Sequence, residues 1–256
     1  MPPMPEIEFC NVSFRYPGSD KYVLKNISFK IKRGEKLALV GLNGAGKTTL
    51  TKLLIRLYDP TEGEILFNGV NAKEYEINSL RSKFAVSFQS SVRYCMSVKE
   101  NITISDIGHK SEERFKRACK ASDVDKMAQG LPQGYDTQMS KYFSEDGFEP
   151  SGGQRQKIGL ARAYYRDADI IVLDEPSSAL DAEAEDYIFR LFNELYNDKS
   201  AVLITHRLSA VAMADKIAVI ENGELIEVGT HDELMKKKGR YAELFSMQSK
   251  VYTEGL

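Results

Sequence analysis

Three glycines, a lysine and two threonines crowd into the stretch GLNGAGKTT, residues 41 to 49. Glycine weakens both helices and strands, so such a cluster needs a compensating role. Gly41, Gly46, Lys47 and Thr48 keep the spacing G-x-x-x-x-G-K-[ST], whose chemistry is the binding of polyphosphate. Backbone N–H groups of Asn43, Gly44, Ala45 and Gly46 can wrap an anion where no side chain intervenes. The start of a helix at Lys47 to Thr49 adds its partial positive charge. Lys47 is placed to reach the β- and γ-phosphates, and the Thr48 hydroxyl to help hold Mg²⁺.

Two further groups suit the same chemistry. The run IIVLDEP, residues 170–176, reads as a buried strand ending in acids. Asp174 then lies at the carboxyl end of a sheet, where open α/β proteins bind ligands. Its expected role is to hold Mg²⁺, and that of Glu175 to position or polarise an attacking water. In PSGGQ, residues 150–154, Ser151 can cap a helix whose N–H groups stay accessible at Gly152 and Gly153, a second anion site.

These groups need a scaffold, and the apolar patterning supplies one. Alternation in residues 7–16 and 23–34 predicts two strands, joined by the turn-rich PGSDK. The continuous apolar run 36–41 predicts a buried central strand leading into the glycine loop. Leu50, Leu53, Leu54 and Leu57 then mark one face of a helix over 47–57. Residues 63–69 predict a strand closed by an Asn-Gly turn. From about 90 to 165 the chain turns polar and helical, with Phe115, Ala118, Cys119 and Ser122 on one face. Asp181 can cap a helix with Ile188, Leu191, Phe192 and Leu195 as its stripe. Residues 201–205, 216–220 and 224–229 predict three more strands, and Thr230 with Glu233 a capping box. The fold class is α/β, with a core over 1–89 and 166–256 and a helical insert over 90–165.

Composition excludes several classes. The 256 residues carry 42% hydrophobic and 28% charged side chains, as a globular protein does. A net charge of −2 offers nucleic acid no general attraction. Cys10, Cys95 and Cys119 are too few and too scattered for a disulfide frame or a zinc site. No apolar run approaches the roughly 20 residues of a spanning helix, and MPPMPEIEF lacks the pattern of a signal peptide. The lysines at 236–238 read as a solvated helix end.

The segment PSGGQRQKIGLARA, residues 150–163, resembles the signature of ATP-binding cassette (ABC) ATPases, usually Leu-Ser-Gly-Gly-Gln. The resemblance covers essentially the whole chain, from FRYPG to GTHDEL, with the motifs in the family's order. It implies a P-loop NTPase core of RecA type, an antiparallel β subdomain and an inserted α-helical subdomain. It also implies that Tyr16 stacks on adenine and that Gln89 contacts Mg²⁺ and senses the γ-phosphate. Glu175 becomes the catalytic base, His206 the switch histidine, and Ser178, Ala179, Leu180 and Asp181 the loop crossing a dimer interface. Ser151, Gly152, Gly153 and Gln154 would act on nucleotide held by a second subunit, so that two cassettes clamp two ATP molecules head to tail. His231, inside the Thr230 capping box, reads as structural.

The stretches around 16–31, 79–81, 100–102 and 229–234 look most like the exporter type, in which the cassette usually follows a membrane domain in one chain. The expectation is therefore an ATPase that is an excised domain or a C-terminal fragment of a longer chain. It would work as a homo- or heterodimer at the cytoplasmic face of a membrane, with ATP and Mg²⁺ and a transmembrane partner. Three departures stand out. Pro150 replaces the signature leucine, which is expected to alter the closed dimer. Ser144 and Asp146 replace a usual glycine and arginine. Arg93 stands where leucine is common. A non-transport relative acting on nucleic acid or the ribosome is the alternative. Against its chromosome type, Lys47 and Asp174 lie only 127 positions apart without sustained heptads. A regulatory module without turnover would not need Glu175, Gln89 and His206, and no guanine-reading Asn-Lys-x-Asp is present.

Overall fold

The computed structural model describes residues 5–89, 92–142, 145–176, 199–205, 211 and 214–254. In chain order its strands begin with β1 (Ile7–Phe14), β2 (Leu24–Ile31), β3 (Lys36–Val40), β4 (Glu62–Phe67) and β5 (Val70–Asn71). They continue with β6 (Phe84–Ser87), β7 (Ile170–Asp174), β8 (Ser200–Ile204), β9 (Lys216–Glu221) and β10 (Glu224–Gly229). The helices are α1 (Lys47–Leu54), α2 (Ile77–Arg81), α3 (Val98–Thr103), α4 (Glu112–Ala121), α5 (Val124–Gln129), α6 (Gly152–Arg166), α7 (His231–Lys237) and α8 (Arg240–Glu254). The helix expected after Asp181 lies outside the described residues. Two compact units result. One comprises Met1–Phe84, Asp169–Val172 and Asp198–Leu256, the other Ala85–Ala168 and Leu173–Asn197.

The first unit holds two sheets. A six-stranded sheet has the order β10-β9-β3-β8-β7-β6, to which β7 and β6 contribute only their first residues within this unit. Strand β3 runs parallel to both neighbours, Leu39 opposite Ile204 of β8 and Ala218 of β9. Flanked on both edges, it buries Leu37, Ala38, Leu39 and Val40 in succession, which is why it reads as an unbroken apolar run. On one side Ala38, Val40, Ile217 and Val219 pack with Leu234 and Tyr241 of α7 and α8.

The second sheet, order β2-β1-β4-β5, is antiparallel. Its alternation is interrupted. Ile7 and Phe9 face inward, then Val12 and Phe14 do, a change of parity that a one-residue slip would otherwise send to solvent. A register shift at this point, with Asn11 at φ 48°, absorbs the odd residue. The Asn68-Gly69 turn, both residues at positive φ, closes β4 onto β5 as its sequence predicts.

Helix α1 is shorter than its leucine stripe. Leu50, Leu53 and Leu54 are buried, but Leu57 is 45% exposed. Arg56 takes a left-handed φ of 53° and ends the helix, its guanidinium donating to the carbonyls of Ala72 (3.0 Å) and Tyr75 (3.1 Å). These long-range bonds outweigh the local helical pattern.

The second unit is built on α6. Ser122 and Asp123 (φ 58°) split what reads as one helix into α4 and α5, while Phe115, Ala118, Cys119 and Ser122 are all buried as expected. Ser97 and Glu100 form a capping box for α3. Asn101 is fully buried: its amide donates to the carbonyls of Tyr94 and Ser97 (each 3.0 Å), and its oxygen accepts from the Tyr94 N–H (3.0 Å). Arg162 of α6 donates to the carbonyls of Asn101 (2.8 Å) and Val92 (3.1 Å), and its guanidinium lies 5.2 Å over the Tyr94 ring. Burial pulls its pKa below the ordinary arginine value, so those acceptors must hold the charge. Arg162→Met keeps the length but leaves two carbonyls without their donors. We expect it to lower the unfolding free energy by about 2–4 kcal/mol, read from urea denaturation of the two proteins.

Candidate active site

The first unit carries the glycine loop between β3 and α1. Asn43 and Gly44 form the tip of a turn closed by the Ala45 N–H on the Leu42 carbonyl (3.2 Å). Gly46 is the N-cap of α1 with φ 108°, a left-handed position that an L side chain resists. A Cβ there would also lie 2.6 Å from Leu24 Cδ2, and one at Gly41 would overlap the Ile220 carbonyl oxygen. These two glycines are therefore required by the protein's own packing. The approach of a ligand, the reason the sequence offers for all three glycines, is thus joined at two of them by a packing requirement. Lys47 is 7% exposed and its ammonium donates to the carbonyls of Gly41 (2.8 Å) and Leu42 (3.0 Å). The loop thus curls around a cation at the head of a helix. Thr48 and Thr49 follow in the first turn of α1, Thr49 buried.

Tyr16 lies just past β1. Its hydroxyl shares a hydrogen bond with Thr49 (3.0 Å) and accepts one from Lys52 (3.3 Å), whose ammonium is 5.3 Å from the ring centroid. Phe14 and Tyr58 meet the same ring edge-on, at 5.0 and 5.4 Å. A cleft of about 620 Å³ lies alongside, with Tyr16, Tyr58, Arg15 and Asp59 among its walls. An aromatic face thus stands beside the helix that opens with the glycine loop.

The second unit carries the acids. Asp174, 2% exposed, ends β7, and Glu175 follows at φ 49°. A non-glycine residue in that region costs about 1–3 kcal/mol and persists only where its surroundings hold it. Two glutamines do so. Gln89 donates to the Glu175 carboxylate (2.6 Å), and Gln156 of α6 donates to the Glu175 main-chain carbonyl (2.7 Å). Ser151 caps α6: its hydroxyl accepts from the Gln154 N–H (3.3 Å), and Gln154 Oε1 accepts from the Ser151 N–H (2.8 Å). The side chain of Gln154 is thus a member of the cap, and Gly152 and Gly153 supply the remaining first-turn N–H groups. Arg93 pairs with Glu149, whose other oxygen accepts from the Lys141 N–H (2.9 Å). That N–H bond, joined by Arg93, holds the carboxyl below the usual range.

His206 and the loop Ser178, Ala179, Leu180 and Asp181 lie outside the described residues. His231 shares a hydrogen bond with the Tyr241 hydroxyl (2.8 Å) and packs on Phe245, within the first unit's C-terminal helices. Sequence reasoning missed Gln156 and Arg162. Each bonds a main-chain carbonyl far along the chain, and nothing in the local pattern announces that. For a metal, Thr48, Asp174 and Gln89 offer a hydroxyl, a carboxylate and an amide. The first of these donors belongs to the first unit and the other two to the second, and each is an oxygen donor of the kind Mg²⁺ takes. Among the described residues, no three His, Cys, Asp or Glu groups converge as a metal site by themselves.

Gly41→Ala tests the division of roles in the glycine loop. We expect the unfolding free energy, measured by urea in the absence of nucleotide, to fall by about 1–3 kcal/mol, because the overlap is with the protein's own backbone.

Comparison with known proteins identifies the family. Residues 24–178 match the family model described as ABC transporter. A Bacillus subtilis relative named as a multidrug export ATP-binding/permease protein, YgaD, is 40% identical over 95% of this chain and 41% of its own length. A Pseudomonas aeruginosa ATP-dependent lipid A-core flippase is 41% identical over 94% of this chain and 39% of its own. The solved structure of a bacterial Atm1-family ABC exporter with ATP bound superposes with a TM-score of 0.90 at 34% identity, covering 96% of this chain and 42% of that one. The chain thus spans about two fifths of the length of these relatives. The family match covers the glycine loop, the α6 cap and the acids that end β7, and the chain belongs to the ABC transporter family.

Proposed function

We propose that this chain is the ATP-hydrolysing cassette of an exporter-type transporter, and that it closes on a second cassette when ATP is bound. The observation that carries the reading is Glu175, a carboxylate next to the buried Asp174 and oriented by the Gln89 amide. A group so held can take a proton from water while the water oxygen attacks the γ-phosphorus. The bond between the β- and γ-phosphates then breaks, and ADP and phosphate leave. Binding falls to the loop from Gly41 to Thr49, with Lys47 exchanging its two carbonyl acceptors for phosphate oxygens. Tyr16 supplies the face for adenine. Mg²⁺, held by Thr48, Asp174 and Gln89, would neutralise phosphate charge. His206 is assigned to the γ-phosphate, Ser151 to Gly153 to nucleotide on the facing cassette, and residues 178–181 to the dimer interface.

A transmembrane partner and a place at the cytoplasmic face are supported by the relatives, whose names describe export and flipping by longer proteins. Among the described residues, no helix is long and apolar enough to cross a membrane. Those relatives are named for different cargo while their identity to this chain is the same to within a percentage point. This supports assigning the choice of cargo to the membrane part. The nucleic-acid alternative has no observation in its favour.

Glu175→Gln removes the proton acceptor and keeps the shape. ATP hydrolysis is expected to fall at least about 100-fold while ATP affinity is kept and the closed dimer accumulates, as size-exclusion chromatography with ATP would show. Turnover near wild type would refute the assignment. Lys47→Ala instead removes one charge-assisted contact to phosphate, so ATP affinity itself should drop about 10- to 100-fold in a titration with a fluorescent nucleotide.

A further inference from the structure

Glu175 is followed by Pro176, which has no N–H. The peptide that leaves the acid therefore has one polar group, the Glu175 carbonyl, by which it can be fixed. That carbonyl accepts from Gln156 at 2.7 Å. Gln156 is 6% exposed, so water is a poor substitute for this donor. The Glu175 Cα is thus anchored on both sides, by β7 before it and by the held carbonyl after it. With φ at 49°, the line along which its side chain departs is fixed between those anchors. Gln89 then meets the carboxylate from the other end of the residue. One glutamine holds the main chain and the other the reacting group.

We propose that Gln156 is a positioning residue for hydrolysis, setting the aim of Glu175 through the Glu175–Pro176 peptide. It lies in the second turn of α6, one turn beyond the Ser151–Gln154 cap. The Gln156 side chain therefore links the capped end of α6 to the peptide that follows the acid. This rests on the reading of Glu175 as the group that accepts water's proton.

The test is a mutant cycle in the full chain, with kcat and KM for ATP from phosphate release and affinity from a fluorescent nucleotide. Gln156→Met keeps volume and removes the donor, and Gln156→Ala serves as a second variant should either fail to fold. The expected result is a kcat about tenfold lower or more, with KM and affinity within about threefold of wild type. In the Glu175→Gln background, where residual turnover is followed over hours, neither change should cause further loss, because both act through the same carboxylate. A kcat within about twofold of wild type would overturn the proposal. So would an equal proportional loss in the Glu175→Gln background, or a loss of affinity matching that of kcat, since each marks a merely structural role. Full turnover in Glu175→Gln alone would instead remove the reading of Glu175, an outcome seen without touching Gln156.

Discussion

The first unit depends on keeping an ammonium group out of water. Lys47 is almost wholly enclosed, and an unpaired charge there would be prohibitive. The fold answers with the carbonyls of Gly41 and Leu42, from the loop that delivers the lysine. To bring those oxygens back onto the residue five and six positions later, the chain must turn sharply between a central strand and a helix. It does so with residues that lack a side chain where Ile220 and Leu24 press closest. An anion that takes over those contacts meets a cation already in position, and little has to be reorganised.

The second unit is organised by one helix. Along its 15 residues, about 22 Å, α6 is capped by Ser151 and Gln154, bonds Glu175 through Gln156 and Asp123 through Lys157, and ties Asn101 and Val92 through Arg162. The segment leading away from Gln89 and the residue that follows β7 are thus referred to the same rigid rod. In the acidic site Gln156 holds a main-chain carbonyl and Gln89 the carboxylate itself, so backbone and reacting group are fixed by separate partners.

Much of this was legible beforehand. Strands buried on both faces announce themselves as apolar runs, and the glycine loop, the acids at the end of β7 and the Thr230–Glu233 capping box depend on spacings short enough to read. What could not be read has a common cause. Leu57 fits the helical stripe, yet Arg56 finds carbonyls at Ala72 and Tyr75 and the helix stops. The β1 pattern changes parity at Asn11 because the partner strands allow a shift there. Gln156 looks like any polar residue on a helix until the fold brings a proline-flanked carbonyl to it. In each case the deciding partner is distant in sequence, and it is a backbone atom with no identity of its own.

Arg93 and Glu149 looked unrelated in the sequence, one a departure after Gln89 and the other the residue before Pro150. In the fold they are a couple, with the Lys141 N–H as third member. Chimaeras that graft segments from related cassettes would have to inherit both or neither. A junction placed anywhere between positions 93 and 149 would part the two charges and leave the one that remains without this partner.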